Sequence, residues 1–322
     1  MAPAKKRRAL RILSIDGGGI RGIIPATVLA KIEDMTKTPT AALFDVIAGT
    51  STGGILALGL TCLGAGGRPK HSATDLVRMY VDNGAAIFRK NVLTEGEKVI
   101  HEKYGAGPLE RVLREYLGDT RLREAVTRVT VTSYETERRQ PFFFRSVNAT
   151  RDPSQYDYYM RDVARATSAA PTYFEPHKIP TAGSAGYYSL VDGGVFANNP
   201  GMCAYVDALD EINPTQTVLM VSLGTGTLTR PLHYDAIKHW GELEWVQPVI
   251  NMMMDGPSNA TDYQLARILG EGNYYRLQTT LDRANDEMDD ASEANIRDLQ
   301  LQAEYLIDQS EDSLAEIGRR LG

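Results

Sequence analysis

The feature that most constrains this chain is a unit that occurs twice in its first 63 residues: an apolar strand, a glycine-rich turn and a helix. Leu10-Arg11-Ile12-Leu13-Ser14-Ile15 reads as a buried strand and runs into the turn Asp16-Gly17-Gly18-Gly19-Ile20-Arg21-Gly22. From Ile23 to Met35 the residues Ile24, Val28, Leu29 and Ile32 fall on one helical face, with Pro25 in the first turn. Val46 to Ala48 is the next strand, Gly49-Thr50-Ser51-Thr52-Gly53 its turn, and Ile55 to Leu63 the helix that follows. This repeated order is the grammar of an α/β fold with a mainly parallel sheet. Such sheets gather ligands at the carboxyl ends of their strands, so turns distant in sequence meet at one site.

The rest of the chain extends that plan. Arg128 to Tyr134 alternates as a strand, and Phe142 to Val147 is its expected hairpin partner across a polar turn. Tyr187 to Val191 and Thr217 to Ser222 read as further strands, and each ends in a glycine turn. Residues 73–117 look helical, with Phe88 to Tyr104 as a candidate mobile cover. Ala294 to Leu321 reads as a terminal helix or helix pair. No internal repeat or linker is visible. The expected organisation is a basic leader, residues 1–8, followed by a single domain over residues 9–322.

Bulk properties exclude several classes. The net charge of −6 argues against a nucleic-acid binder and against anchoring on anionic lipid by charge alone. Two cysteines, Cys62 and Cys203, cannot make a disulfide framework and read as reduced thiols of a cytoplasmic protein. No zinc-type spacing occurs, and no metal or organic cofactor is expected. The first apolar run is too short for a signal-peptide core, and no window reaches the ~18 apolar residues of a membrane span. Action on membranes is therefore expected to be peripheral.

Three glycine turns carry the chemistry. Gly49-Thr50-Ser51-Thr52-Gly53 is a G-x-S-x-G sequence between a strand and a helix, which makes Ser51 a candidate nucleophile held out of the backbone, with Gly49 and Gly53 allowing the tight turn. The plainer alternative is a Gly/Ser-rich turn. Gly17, Gly18 and Gly19 can converge backbone N–H groups on one point, as an oxyanion hole requires, with Arg21 bracing the loop or adding positive charge. Gly17-x-Gly19-x-x-Gly22 also matches the dinucleotide fingerprint, but the acidic residue expected at the end of the second strand is missing, and Ser51 stands there instead. A serine nucleophile needs a base. Of the five histidines none sits on a strand-end glycine turn, and His177 is the least implausible triad partner. Asp192, in Leu190-Val191-Asp192-Gly193-Gly194, could serve directly if burial raised its basicity from the ordinary carboxylate value of about 3.9. A turn aspartate of the Asx type is the plainer reading of that position.

Taken together, these residues resemble the patatin-like phospholipases. Asp16-Gly17-Gly18-Gly19-Ile20-Arg21-Gly22 is similar to the family's oxyanion motif, Gly49-Thr50-Ser51-Thr52-Gly53 to its nucleophile elbow, and Asp192-Gly193-Gly194 to its D-G-G motif. Ala166-Thr167-Ser168-Ala169-Ala170-Pro171 and Ser222-Leu223-Gly224-Thr225-Gly226 also resemble family sequence. The resemblance implies a three-layer α/β fold with a central, mostly parallel sheet flanked by helices. It implies a phospholipase A type of lipid acyl hydrolase with a Ser51–Asp192 dyad, an acyl-enzyme and an oxyanion hole at Gly17–Gly19. The chain looks more like compact bacterial members than like secreted plant storage patatins. Some of those members are switched on by cyclic nucleotides in anti-phage defence, so the resemblance also implies such an activator, though no residue identifies its site. Trp240–Met254 and Phe88–Tyr104 could form an apolar mouth for acyl chains or a bilayer surface. Two alternatives stand beside this reading: a non-lipid esterase or thioesterase, and a lipid- or nucleotide-binding signalling protein without turnover.

Overall fold

A computed structural model of the chain describes residues 8–89, 103–182, 185–209, 216–227 and 230–322. Most of the leader and of the Phe88–Tyr104 cover lies outside the described residues. In chain order the main elements are β1 (Leu10–Ile15), α1 (Ile23–Thr36), β2 (Val46–Thr50), α2 (Thr52–Thr61), α3 (Ala73–Ile87), α4 (Gly107–Leu117), β3 (Arg128–Glu135) and β4 (Gln140–Arg145). There follow α5 (Met160–Thr167), β5 (His177–Pro180), β6 (Tyr187–Asp192), α6 (Gly201–Leu209), β7 (Val218–Leu223), α7 (Glu242–Leu269), β8 (Tyr274–Leu277), α8 (Glu293–Gln309) and α9 (Glu311–Leu321).

These strands form one sheet in the order β5-β6-β3-β2-β1-β7-β8, with β4 paired to β3 off that path. The centre, β3-β2-β1-β7-β8, is parallel; β4, β6 and β5 run antiparallel to their neighbours. Strand β1 is buried on both faces, as its continuous apolar run predicts. Leu13 and Ile15 face the larger core under α1–α5, α8 and α9, whereas Leu10 and Ile12 face a smaller core with Ala204 of α6 and Leu265 of α7. The result is three layers, helices on both sides of a mostly parallel sheet, as the resemblance implied.

Local differences from the sequence reading have local causes. Helix α2 begins at Thr52, three residues before the expected Ile55, because Gly53 and Gly54 sit inside its first turn, where weak helix propensity hides them. Strand β4 covers Gln140–Arg145 instead of Phe142–Val147. It stops where Ser146 opens a short helix and its hydroxyl accepts the Val129 N–H at 3.0 Å. The expected terminal helix is the pair α8–α9, packed along α1.

Candidate active site

The registers on β3 explain how two remote residues meet. At Thr130–Thr132 one edge of β3 pairs with β4 and the other with β2, whose Thr50 lies opposite Thr132. One residue further on, β4 still holds its edge, and the other is taken by β6, with Asp192 opposite Ser133. So β2 and β6 approach head to head along one edge of β3. Both end at the same place, and Ser51 follows directly from β2.

Ser51 sits at φ 54° and ψ −123°, a conformation that costs a non-glycine residue of order 1–3 kcal/mol. The surroundings hold it there. Its N–H donates to Thr167 Oγ1 at 2.8 Å, and that hydroxyl donates to Thr132 O at 2.7 Å. A side chain at Gly49 would strike the Gly53 carbonyl, and one at Gly53 the Ile15 carbonyl, so the helix can cross the strand this tightly only with glycine at both positions.

Asp192 is fully buried. Its Oδ1 accepts the Gly194 N–H at 2.7 Å, while Gly193 packs against the backbone of Thr132. Burial pushes its carboxyl up to about 7, opposed by hydrogen bonding from Ser51 and from the Gly194 N–H. Oδ2, however, has no partner in full hydrogen-bond geometry. The Ser51 hydroxyl is near enough to act on the carboxyl without completing a hydrogen bond to Oδ2.

The glycine loop lies against both. The Gly17 N–H is committed to the Asn198 carbonyl at 3.0 Å, which removes it from the expected set of oxyanion donors. Among the described residues no hydrogen bond engages the N–H of Gly18 or Gly19. Gly19 has φ 59° and meets the Met288 carbonyl where a Cβ would stand, so it must be glycine. Arg21 is buried; its Nε donates to Gly18 O at 3.2 Å, and Nη1 has no partner. Asp16 makes a bidentate pair with Arg276 of β8, at 3.0 and 2.6 Å. Burial pushes the Asp16 carboxyl up against the pull of Arg276. Arg276 is pulled down by burial but raised on balance by Asp16. The bidentate fork holds the pair in its charged form.

Ser51 and Asp192 line the same pocket. Its other walls are almost wholly apolar, including Ile55, Met79, Phe88, Leu113 and Met254. No described histidine lines it. His177 lies in β5 opposite Leu190, with burial lowering its pKa to about 4, and faces Asp162 at 3.9 Å. Among the described residues no group of three His, Cys, Asp or Glu side chains gathers to hold a metal.

Residues 13–204 match the family model of the patatin-like phospholipases. The chain belongs to the patatin-like phospholipase family. Patatin-T5 of Solanum tuberosum is 34% identical over 329 residues, covering 93% of this chain and 84% of its own. The probable inactive patatin-3-Kuras 1 of the same species is 35% identical over 314 residues, covering 88% and 83%. VipD from Legionella pneumophila aligns in structure at a TM-score of 0.39 and 14% identity, over 94% of this chain and 67% of its own. As a patatin-like phospholipase the chain is a carboxylic ester hydrolase acting on lipid acyl groups. Sequence reasoning missed Arg276, Asn198 and Met288, because their partners on the glycine loop lie far away along the chain.

Proposed function

We propose that this patatin-like protein is a phospholipase of the A type, with Ser51 as nucleophile, Asp192 as general base and the Gly18 and Gly19 N–H groups as oxyanion donors. The observation that carries this reading is the shared pocket: a serine on a strained turn and a buried carboxylate with one free oxygen stand together in an apolar cleft.

Ser51 Oγ attacks the ester carbonyl carbon while its proton passes to Asp192 Oδ2. The carbonyl oxygen becomes the oxyanion and takes the two N–H groups. The C–O bond then breaks, Asp192 returns the proton to the departing lipid alkoxide, and an acyl-Ser51 ester remains. Asp192 next takes a proton from water, whose oxygen attacks the acyl carbon. Collapse expels Ser51 Oγ, which regains the proton from Asp192, and a fatty acid is released. A carboxyl raised to about 7 suits both directions of transfer near neutral pH.

Labelling by a fluorophosphonate probe, with a lipid product profile from mixed membranes, tests this. Wild type should label at Ser51 and release fatty acids; Ser51→Ala should do neither while staying folded. Turnover of short soluble esters but never of phospholipid would favour a non-lipid esterase.

Outside the pocket, Val246, Val249, Met252 and Met253 of α7 are all exposed and fall on one outward stripe. Pro248 and Met252 also line a second cavity that shares Tyr173, Met254 and Met288 with the apolar pocket. We take this stripe as the face that meets the membrane. No described helix is long and apolar enough to cross one. Cyclic-nucleotide activation rests on likeness to the compact bacterial members alone. Full hydrolysis without any of a panel of cyclic nucleotides would overturn it.

A further inference from the structure

We infer that Arg276 is a positioning residue for the oxyanion donors, acting through Asp16. The inference rests on the role proposed above for Gly18 and Gly19.

A cavity with a largely polar lining lies beside the glycine loop, walled by Asp16, Arg21, Asn198, Thr225 and Gln278 among others. Besides the Asn198 carbonyl and Arg21, the loop is held by polar anchors from the C-terminal third of the chain. Arg276 clamps the Asp16 carboxylate with both terminal nitrogens and also donates to Ser222 Oγ at 2.9 Å. Thr225 Oγ1 donates to the Gly17 carbonyl at 2.7 Å. The Met288 carbonyl accepts the Ile20 N–H at 2.9 Å. None of these contacts engages the N–H of Gly18 or Gly19, so the anchors fix the loop and leave its donors free.

Arg276, Thr225 and Met288 all lie outside residues 13–204, the part matched by the family model. The loop is thus supplied by the matched part, and part of its anchoring by the segment beyond it. Among the anchors Arg276 constrains most. A guanidinium fork fixes the plane of the carboxylate as well as its position, which a lysine cannot do. Asp16 is only two residues from Gly18. Oxyanion donors work when they stand 2.7–3.1 Å from the developing charge, and a misplacement of about 1 Å costs on the order of a hundredfold in rate.

Arg276→Lys is the first test, because it keeps the charge and loses the fork. Four quantities are measured on the full chain: kcat and KM for a short-chain p-nitrophenyl ester, the rate of fluorophosphonate labelling, and the affinity for a fluorescent fatty acid. We expect kcat and the labelling rate to fall together by about ten- to a hundredfold, with KM and fatty-acid affinity within about twofold of wild type. Thr225→Val, which leaves the ion pair intact, should show a smaller loss of the same kind, and it carries the test if Arg276→Lys does not fold. A folded variant that melts earlier but keeps wild-type kcat per labelled site would make the anchor merely structural and overturn the inference. A wild type that never labels would overturn the hydrolase reading, and this inference with it.

Discussion

Ser51 is held in a backbone conformation that its own side chain disfavours, and that strain has a measurable sign. Glycine adopts φ near 54° freely, so Ser51→Gly should abolish hydrolysis yet leave the fold more stable by about 1 kcal/mol, the 1–3 kcal/mol of strain less the entropy cost of a glycine. Chemical denaturation of the two proteins checks it. Asp192 carries a second prediction. As a base it must be ionised, so kcat/KM should fall as pH drops through about 7. Its effect on stability runs the other way. The folded carboxyl holds its proton up to about 7, whereas the unfolded one loses it near 4, so stability falls as pH rises across that window. Asp192→Asn should therefore be inactive, and it should melt higher than wild type at pH 8 by a margin that shrinks toward pH 4. Ser51 was legible in the sequence because turn chemistry is local. The basicity of Asp192 was not, because it comes from burial, which neighbours in sequence do not reveal. Arg276 was invisible for a plainer reason: 260 residues separate it from Asp16.

Among the elements, α4 sets what the pocket can hold. Leu109, Val112 and Leu113 present one face of that helix to the apolar cleft, opposite Met79 of α3 and Ile55 of α2. A larger side chain at Val112 occupies space that an acyl chain would fill. If the ring in Val112→Phe displaces two methylenes, about 1.6 kcal/mol of burial is lost, a little over tenfold in kcat/KM. Long-chain esters should lose that factor and short-chain esters should not, as a chain-length series of p-nitrophenyl esters would read directly. The existence of α4 was legible from the spacing of Leu109, Val112, Leu113 and Tyr116. Its place against the serine was not, since periodicity names a buried face without naming what it is buried against. The same holds for the strands. Val46–Ala48 and Tyr187–Val191 both read as strands from composition. That they meet head to head along β3 is a fact of register, and the antiparallel return of β6 has no signature in either segment.

At the scale of the whole molecule, the proposed membrane face rests on how apolar surface is arranged on α7. A helix on the surface of a soluble protein normally turns its polar side outward. In α7 the buried Met254, Ser258 and Leu265 face the body, while Val246, Val249 and Met253 face out. With a net charge of −6, the proposed membrane face would act through its apolar side chains and not through charge, so binding to neutral phosphatidylcholine vesicles should be insensitive to ionic strength. The only two tryptophans, Trp240 and Trp245, pack edge to face with ring centroids 5.3 Å apart at the head of the stripe, which makes them a built-in reporter. Their emission should shift to shorter wavelength when vesicles are added. Fully burying an apolar side chain is worth about 1.5–3 kcal/mol, and partial insertion of three gives a similar total at the least. Replacing Val246, Val249 and Met253 together by glutamate should then weaken vesicle binding by more than about tenfold and slow phospholipid hydrolysis in step, while short soluble esters are cleaved at the wild-type rate. Unchanged vesicle binding would remove the stripe from the membrane. A wild type that dimerises through it, with a triple variant that is monomeric, would assign the face to a second copy of the chain.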